Sequence, residues 1–151
     1  MKFKVALVGY GYWGPKLARN IQNSNYFQID YIVDKSKKNK DSAKKNFPLS
    51  KVISDYKKLN IQNLDLVVIS TPTKTHFQMA SFFLKYTNIL VEKPLSLSVG
   101  QVNKLENLVS KFKNKLFVDY PFIFSGSIKI IKNIIDNRKY GKLLEIESFR
   151  E

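Results

Sequence analysis

Cysteine is absent from this 151-residue sequence, so disulfide frameworks and thiol chemistry are excluded. Arginine is scarce, and the net charge of +14 comes almost wholly from lysines scattered along the chain. A nucleic-acid surface favours the planar fork of arginine, so we expect no nucleic-acid partner. No apolar run is long enough to span a bilayer, and no charged leader precedes one. We therefore expect a cytoplasmic protein without a membrane partner.

The stretch that organises the chain is an apolar run, 5–8, that leads directly into glycines. Gly9, Gly11 and Gly14 have the G-x-G-x-x-G spacing of a dinucleotide-binding turn. In such a turn the first glycine permits the bend and the second admits a pyrophosphate, while the third lets the helix pack against the strand. Pro15 suits the first turn of that helix. A structural turn is the alternative reading, and the context of strand and helix favours dinucleotide binding.

An acidic residue follows the second expected strand at the distance typical of these folds. Asp34 ends the run 27–33 and lies twenty residues after Gly14. Its carboxylate can accept hydrogen bonds from ribose hydroxyls and would repel a 2′-phosphate, which favours NAD over NADP. Lys35 and Lys37 lie just beyond and could reverse that preference. The alternative is that Asp34 caps the next helix.

Strands alternate with helices along the chain. The expected strands are 2–8, 27–33, 51–54, 64–69, 88–91, 116–118 and 143–149; the expected helices are 16–23, 36–47, about 77–84, 99–112, and one from 128 towards 141. Ser36 and Ser98 are expected to cap two of the helices. The alternation predicts an α/β fold, a doubly wound parallel Rossmann sheet with right-handed crossovers. Ligands of such sheets bind beyond the carboxyl ends of the strands.

Two further segments follow strand ends and are therefore candidates for the site. The first carries Thr71, Pro72 and the single histidine, His76, which either lines the cleft or packs the loop. The second carries Glu92 and Lys93. A lysine there could position a substrate hydroxyl, contact a nicotinamide or assist proton transfer. No metal site is predicted.

These motifs together resemble the N-terminal domain of the Gfo/Idh/MocA oxidoreductases. The resemblance rests on four motifs in order: Gly9-Tyr10-Gly11-Tyr12-Trp13-Gly14-Pro15, Asp34, Thr71-Pro72-Thr73-Lys74-Thr75-His76 and Glu92-Lys93-Pro94-Leu95-Ser96. It implies hydride transfer between NAD(P) and a sugar, nucleotide-linked sugar or polyol. The residues it implies for cofactor binding are Gly9, Gly11, Tyr12, Trp13, Gly14, Asp34, Thr71, Pro72, His76, Glu92 and Lys93, with Lys93 also catalytic.

The chain departs from the family pattern in two places. Asp119-Tyr120-Pro121 stands where members often have Gly-His, so no catalytic histidine is assigned there. The family also has a second, substrate-binding domain, which we expect to be essentially absent here. We expect a dinucleotide-binding domain at 1–124, and at 125–151 a connecting helix with the first strand of that second domain. Unpaired, this strand would be disordered, fold back or pair in a homo-oligomer. A stand-alone NAD-binding or NAD-sensing module without catalysis is the alternative function.

Overall fold

The computed structural model describes residues 2–149. Its strands are β1 (Phe3–Val8), β2 (Phe27–Val33), β3 (Lys51–Ile53), β4 (Leu66–Ile69), β5 (Asn88–Glu92) and β6 (Leu116–Asp119). Its helices are α1 (Gly14–Asn23), α2 (Lys37–Asn46), α3 (His76–Phe83), α4 (Val99–Phe112) and α5 (Gly126–Asp136). Short 3₁₀ turns lie at Tyr56–Lys58, Ile61–Asn63, Thr73–Thr75 and Pro121–Phe124.

The six strands form one parallel sheet in the order β3-β2-β1-β4-β5-β6. This is the doubly wound Rossmann order, and it confirms the predicted fold class. The order reverses between β1 and β4, where crossovers leave the sheet in opposite directions. Val8 pairs with both Val33 and Ile69, so the carboxyl ends of β1, β2 and β4 lie level beside one another. The predicted binding edge of the sheet is therefore formed.

Apolar side chains cover the sheet on both faces. On one face Ile69 packs in a cluster with Phe83 of α3 and Leu105 of α4. On the other, Leu7 packs with Ala18 of α1. Burying a large apolar side chain contributes about 1.5–3 kcal/mol, so these clusters hold the strand ends in place.

Two helix starts have the caps predicted for them. The Ser36 hydroxyl accepts a hydrogen bond from the backbone N–H of Asn39 at 3.4 Å, ahead of α2. The Ser98 hydroxyl accepts one from the N–H of Gln101 at 3.4 Å, ahead of α4. Each bond satisfies a backbone donor that the helix itself cannot pair. Both predicted caps are confirmed.

The chain divides into two compact units, one ending at Asp119 and the other beginning at Tyr120. The second unit contains α5, which ends at Asp136 rather than near Gly141 because the backbone turns left-handed at Arg138, with φ of 47°. The predicted domain boundary after residue 124 stays a prediction. Among residues 2–149, no helix is long and apolar enough to cross a bilayer.

The last strand predicted, over 143–149, is wrong. This segment has no regular secondary structure. A strand requires a hydrogen-bonded neighbour, and the six strands of the sheet make their ladders with one another. Its alternation of apolar and charged residues leaves Leu144 and Phe149 exposed, at 91% and 87%. Pairing in a homo-oligomer stays a prediction.

Candidate dinucleotide-binding site

The glycine turn is held between the ends of two strands. Gly9 follows β1 with φ of +99°, a conformation that favours glycine. Its N–H donates to the carbonyl of Val33 at 2.8 Å. A Cβ on Gly9 would collide with the carbonyl of Ser70 and lie 3.0 Å from Cγ2 of Thr71. Glycine is therefore required here by both backbone conformation and packing.

The other two glycines of the motif meet different constraints. A Cβ on Gly14 would collide with the carbonyl oxygen of Gly9. The close approach expected between helix and strand is thus made at the turn that follows the strand. A Cβ on Gly11 would meet no protein atom within 4 Å. Packing does not require glycine at position 11, and the open space beside it suits an approaching ligand.

Asp34 ties the end of β2 to the glycine turn. Its Oδ2 accepts hydrogen bonds from the backbone N–H of Tyr10 at 2.7 Å and from the Asn39 amide at 3.2 Å. Its Oδ1 accepts one from the backbone N–H of Ser36 at 2.7 Å. Asp34 is not itself the N-cap of α2, because the Ser36 hydroxyl has that role. The ribose role stays a prediction.

Two adjoining cavities lie at the carboxyl edge of the sheet. The first, of about 410 Å³, is lined by Val8, Gly9, Gly11, Val33, Asp34, Lys35, Asn39, Ser54, Tyr56, Ser70, Thr71, Pro72, Thr75 and Met79. The second, of about 320 Å³, is lined by Gly11, Tyr12, Trp13, Ser70, Thr71, Pro72, Thr73, His76, Glu92 and Lys93. They share Gly11 and the segment 70–72. The cleft thus runs from Asp34, past the glycine turn, to Glu92 and Lys93.

Every predicted site residue except Gly14 lines one of these cavities. The predicted site residues omit Ser70, although its position directly after the strand that ends at Ile69 was a usable signal. They also omit Ser54, which the sequence placed inside the expected strand 51–54 and the structure places just after β3. Tyr56 and Met79, which come from a 3₁₀ turn and from α3, were missed as well. Their contribution depends on how those elements pack, which no local pattern indicates.

His76 joins the two segments that wall the second cavity. It is 1% exposed, although it lines that cavity. Its Nε2 lies 2.7 Å from the carbonyl oxygen of Thr71, and its Nδ1 lies 2.8 Å from that of Pro94. His76 thus packs the loop and lines the second cavity, and its predicted place beside the cofactor stays a prediction. Its ring nitrogens face the protein backbone.

Glu92 and Lys93 end β5 beside β6. Glu92 pairs in register with Asp119. Partial burial, and then the negative charge of Asp119, raise the pKa of Glu92, while the backbone N–H and the charge of Lys93 act in the opposite direction. Lys93 itself is exposed. This end of the cleft places an ammonium beside a carboxyl that holds its proton more tightly than usual.

The mouth of the second cavity carries two exposed aromatic rings. Tyr12 and Trp13 pack edge to face, with centroids 5.4 Å apart. The Lys16 ammonium lies 3.9 Å from the centroid of the Tyr12 ring and 4.1 Å from that of Trp13. Such cation–π contacts contribute about 0.5–1 kcal/mol at exposed sites. They hold a positive charge in the first turn of α1, a contact that the sequence analysis did not anticipate.

The family model described as an oxidoreductase family with an NAD-binding Rossmann fold matches residues 3–120. The chain belongs to the Gfo/Idh/MocA oxidoreductases. An uncharacterised Escherichia coli oxidoreductase is 27% identical over 96% of this chain and 42% of its own length. Myo-inositol 2-dehydrogenase of Thermotoga maritima is 23% identical over 92% of the chain and 42% of its own length. The predicted family is thereby confirmed.

Solved structures share the fold of this Gfo/Idh/MocA chain. Scyllo-inositol dehydrogenase of Lactobacillus casei, with bound NAD(H) and scyllo-inositol, superposes with a TM-score of 0.85 at 23% identity. The match covers 93% of this chain and 43% of that one. The chain thus spans less than half the length of the relatives and structures it matches.

The residues of the cleft fit the NAD that this family binds. Gly11 leaves open space where a backbone must approach a pyrophosphate. No acidic residue and no side-chain cap occupies the first turn of α1, so its N-terminus keeps its positive character. The predicted cofactor, NAD, is confirmed for the family domain.

Proposed function

We propose that this chain forms the cofactor-binding half of an enzyme that oxidises a hydroxyl of a sugar, nucleotide-linked sugar or polyol. The observation that carries the proposal is the pair of adjoining cavities that share the glycine turn. One presents Asp34, suited to a ribose, and the other presents Glu92 and Lys93 beside the space expected for the nicotinamide. The names of two matched proteins, myo-inositol 2-dehydrogenase and scyllo-inositol dehydrogenase, support a polyol.

Bound NAD⁺ supplies the hydride acceptor of this reaction. The substrate carbon would give up its C–H hydride to the cofactor and its hydroxyl would release a proton to solvent, so that the alcohol becomes a carbonyl compound. We assign to Lys93 the role of contacting the substrate hydroxyl, because it is exposed in the cavity wall and carries its positive charge on a flexible side chain. Glu92, whose pKa is raised, lies next to it. Groups that hold and orient the hydroxyl supply much of the rate of such a step.

Residues that select the substrate are not assigned to this chain. It accounts for 42% of the length of the matched myo-inositol 2-dehydrogenase and for 43% of the matched scyllo-inositol dehydrogenase chain. The nucleotide-linked sugar rests on the Tyr-Trp-Gly-Pro version of the glycine motif alone, whereas the polyol has named relatives behind it. We therefore place polyols first among the substrates to be tested.

The test is hydride transfer by the longest natural polypeptide that contains this sequence. NADH formation would be followed with a panel of inositols, other polyols and sugars. We expect turnover with at least one, and a Lys93→Ala variant should lose about a hundredfold in rate, a larger factor than its loss of affinity for NAD. Lys74→Ala is the matched control. NAD binding without turnover would instead support a binding or sensing module.

A further inference from the structure

Ser70 has a buried hydroxyl with no hydrogen-bond partner among residues 2–149. The residue directly follows β4, and its backbone N–H donates to the carbonyl of Val8 at 2.8 Å. Its main chain is therefore fixed at the end of the sheet. Buried hydroxyls are nearly always paired, because a lost hydrogen bond to water is otherwise not replaced. An unpaired hydroxyl at a binding edge calls for a partner from outside the protein.

The position of Ser70 in the cleft indicates which partner that is. Ser70 is one of four residues that line both cavities, together with Gly11, Thr71 and Pro72. Its carbonyl lies where a Cβ of Gly9 would be, so it adjoins the glycine turn. The shared wall separates the Asp34 end of the cleft from the Lys93 end. The part of a dinucleotide that crosses such a wall is the pyrophosphate that links its two nucleosides.

Two other hydroxyls that line the first cavity are hydrogen-bonded within the protein. Thr75 Oγ1 lies 2.7 Å from both Thr71 Oγ1 and the carbonyl oxygen of Pro72, and its hydroxyl donates to this pair of acceptors. Ser54 Oγ accepts from the Lys40 ammonium at 2.5 Å. Ser70 differs from both, because its hydroxyl neither donates nor accepts a hydrogen bond among residues 2–149.

We propose that the Ser70 hydroxyl donates a hydrogen bond to a pyrophosphate oxygen of bound NAD. The proposal rests on the NAD binding of this domain and extends it to a residue outside the glycine motif. A serine hydroxyl has three staggered positions, so its O–H can be redirected towards a ligand without a change in the main chain. An ionised phosphate oxygen is a strong acceptor, so the bond it forms is stronger than one between neutral groups.

Calorimetric titration of a Ser70→Ala variant tests this contact, with Ser81→Ala as its matched control. Ser81, on α3, also has a buried, unpartnered hydroxyl among the described residues, but it lines neither cavity. We expect Ser70→Ala to weaken NAD and ADP-ribose about tenfold, equivalent to about 1.4 kcal/mol. Adenosine, measured by competition with ADP-ribose, has no phosphate and should keep its affinity. Ser81→Ala should bind all three ligands as the unsubstituted chain does.

Both variants should keep the thermal midpoint of the parent or exceed it, because each removes an unpaired buried hydroxyl. Equal NAD affinity of Ser70→Ala and the parent would overturn the proposal. An equal loss for adenosine would also overturn it, because the contact would then lie away from the pyrophosphate. A parent chain that binds neither NAD nor ADP-ribose would overturn this proposal and the proposed function together. A tenfold loss in a protein without polyol turnover would uphold Ser70 and refute the proposed reaction alone.

Discussion

The carboxylate of Asp34 accepts a 2.7 Å hydrogen bond from the backbone N–H of Tyr10, in the middle of the glycine turn. The acid that is expected to bind the ribose therefore also fixes the loop that is expected to bind the pyrophosphate. Ser36 and Asn39 donate to the same carboxylate. A single side chain thus links β2, the glycine turn and the start of α2.

Replacing Asp34 should therefore weaken both the fold and the cofactor site. Asp34→Ala leaves three donors without their acceptor, and we expect the free energy of unfolding to fall by about 1–3 kcal/mol. Asp34→Asn keeps the shape but loses the charge, so its preference for NAD over NADP should narrow. Denaturant unfolding and paired titrations with NAD and NADP measure the two effects. Asp41→Asn, an exposed acid on α2, is the control. Tighter binding of NADP by the parent chain would contradict the assigned preference.

Two glycines of the turn should respond differently to substitution. Gly11→Val should abolish NAD binding and leave the thermal midpoint near that of the parent, because a Cβ at position 11 meets no protein atom within 4 Å. Gly9→Ala should destabilise the fold, since φ of +99° and the Ser70 carbonyl oppose a Cβ. Gly100→Ala, in the exposed start of α4, should change neither property. Calorimetric titration with NAD, combined with thermal melting, distinguishes the three variants. Normal NAD affinity in Gly11→Val would contradict the assignment of the glycine turn to the pyrophosphate.

His76 should matter because it ties Thr71 to Pro94. A His76→Leu variant keeps much of the buried volume but removes the ring nitrogens that lie within 2.8 Å of two carbonyl oxygens. We expect a loss of about 1–3 kcal/mol in stability and weaker NAD binding. His76→Gln, which retains one amide donor group, should recover part of both. Equal stability of the leucine variant and the parent in denaturant titrations would show that the two contacts contribute nothing.

Glu92 gives the stability of the fold a pH dependence of predictable sign. Its pKa is raised from an ordinary value of 4.5, so the folded chain binds this proton more tightly than the unfolded chain. Below the pKa that Glu92 has in the unfolded chain, this residue costs no stability. Stability is lost as the pH rises from that pKa to the higher pKa of the folded chain. Glu92→Gln should match the parent in acid and become the more stable protein at neutral pH.

Unfolding titrations at a series of pH values measure this difference. Asp119→Asn should reduce it, because the charge of Asp119 is the second cause of the raised pKa, after burial. Glu106→Gln, at an exposed site on α4, is the control for loss of a surface charge. A constant difference between Glu92→Gln and the parent at every pH would contradict the assignment.

Patterns that act locally were readable from the sequence. Apolar runs and glycine spacing predicted the strands and the turn. Ser36 and Ser98 predicted the starts of two helices, because a cap bonds to a residue only three positions away. The double role of Asp34 was not readable, since its bond to Tyr10 joins residues 24 apart. The same holds for His76, whose partner Pro94 comes from a different strand end.

In the segment 143–149 the sequence predicted an element that the structure does not contain. Alternating apolar residues predicted a strand there, but alternation only describes a chain that could pair, and pairing needs a neighbour. Ser70 was passed over for a related reason. Serine after a strand is an ordinary turn residue, and only the three-dimensional structure shows that its hydroxyl is unpartnered.

The wedging of Gly9 between the ends of β2 and β4 has a kinetic consequence. A turn fixed by the Val33 carbonyl on one side and the Ser70 carbonyl on the other has little freedom to rearrange when a ligand arrives. A dinucleotide would meet a receptor already in its binding shape, without a slow closing step at this loop. Its association rate would then be governed by diffusional encounter. With a net charge of +14, the chain would accelerate encounter with an anionic ligand, and added salt would slow it.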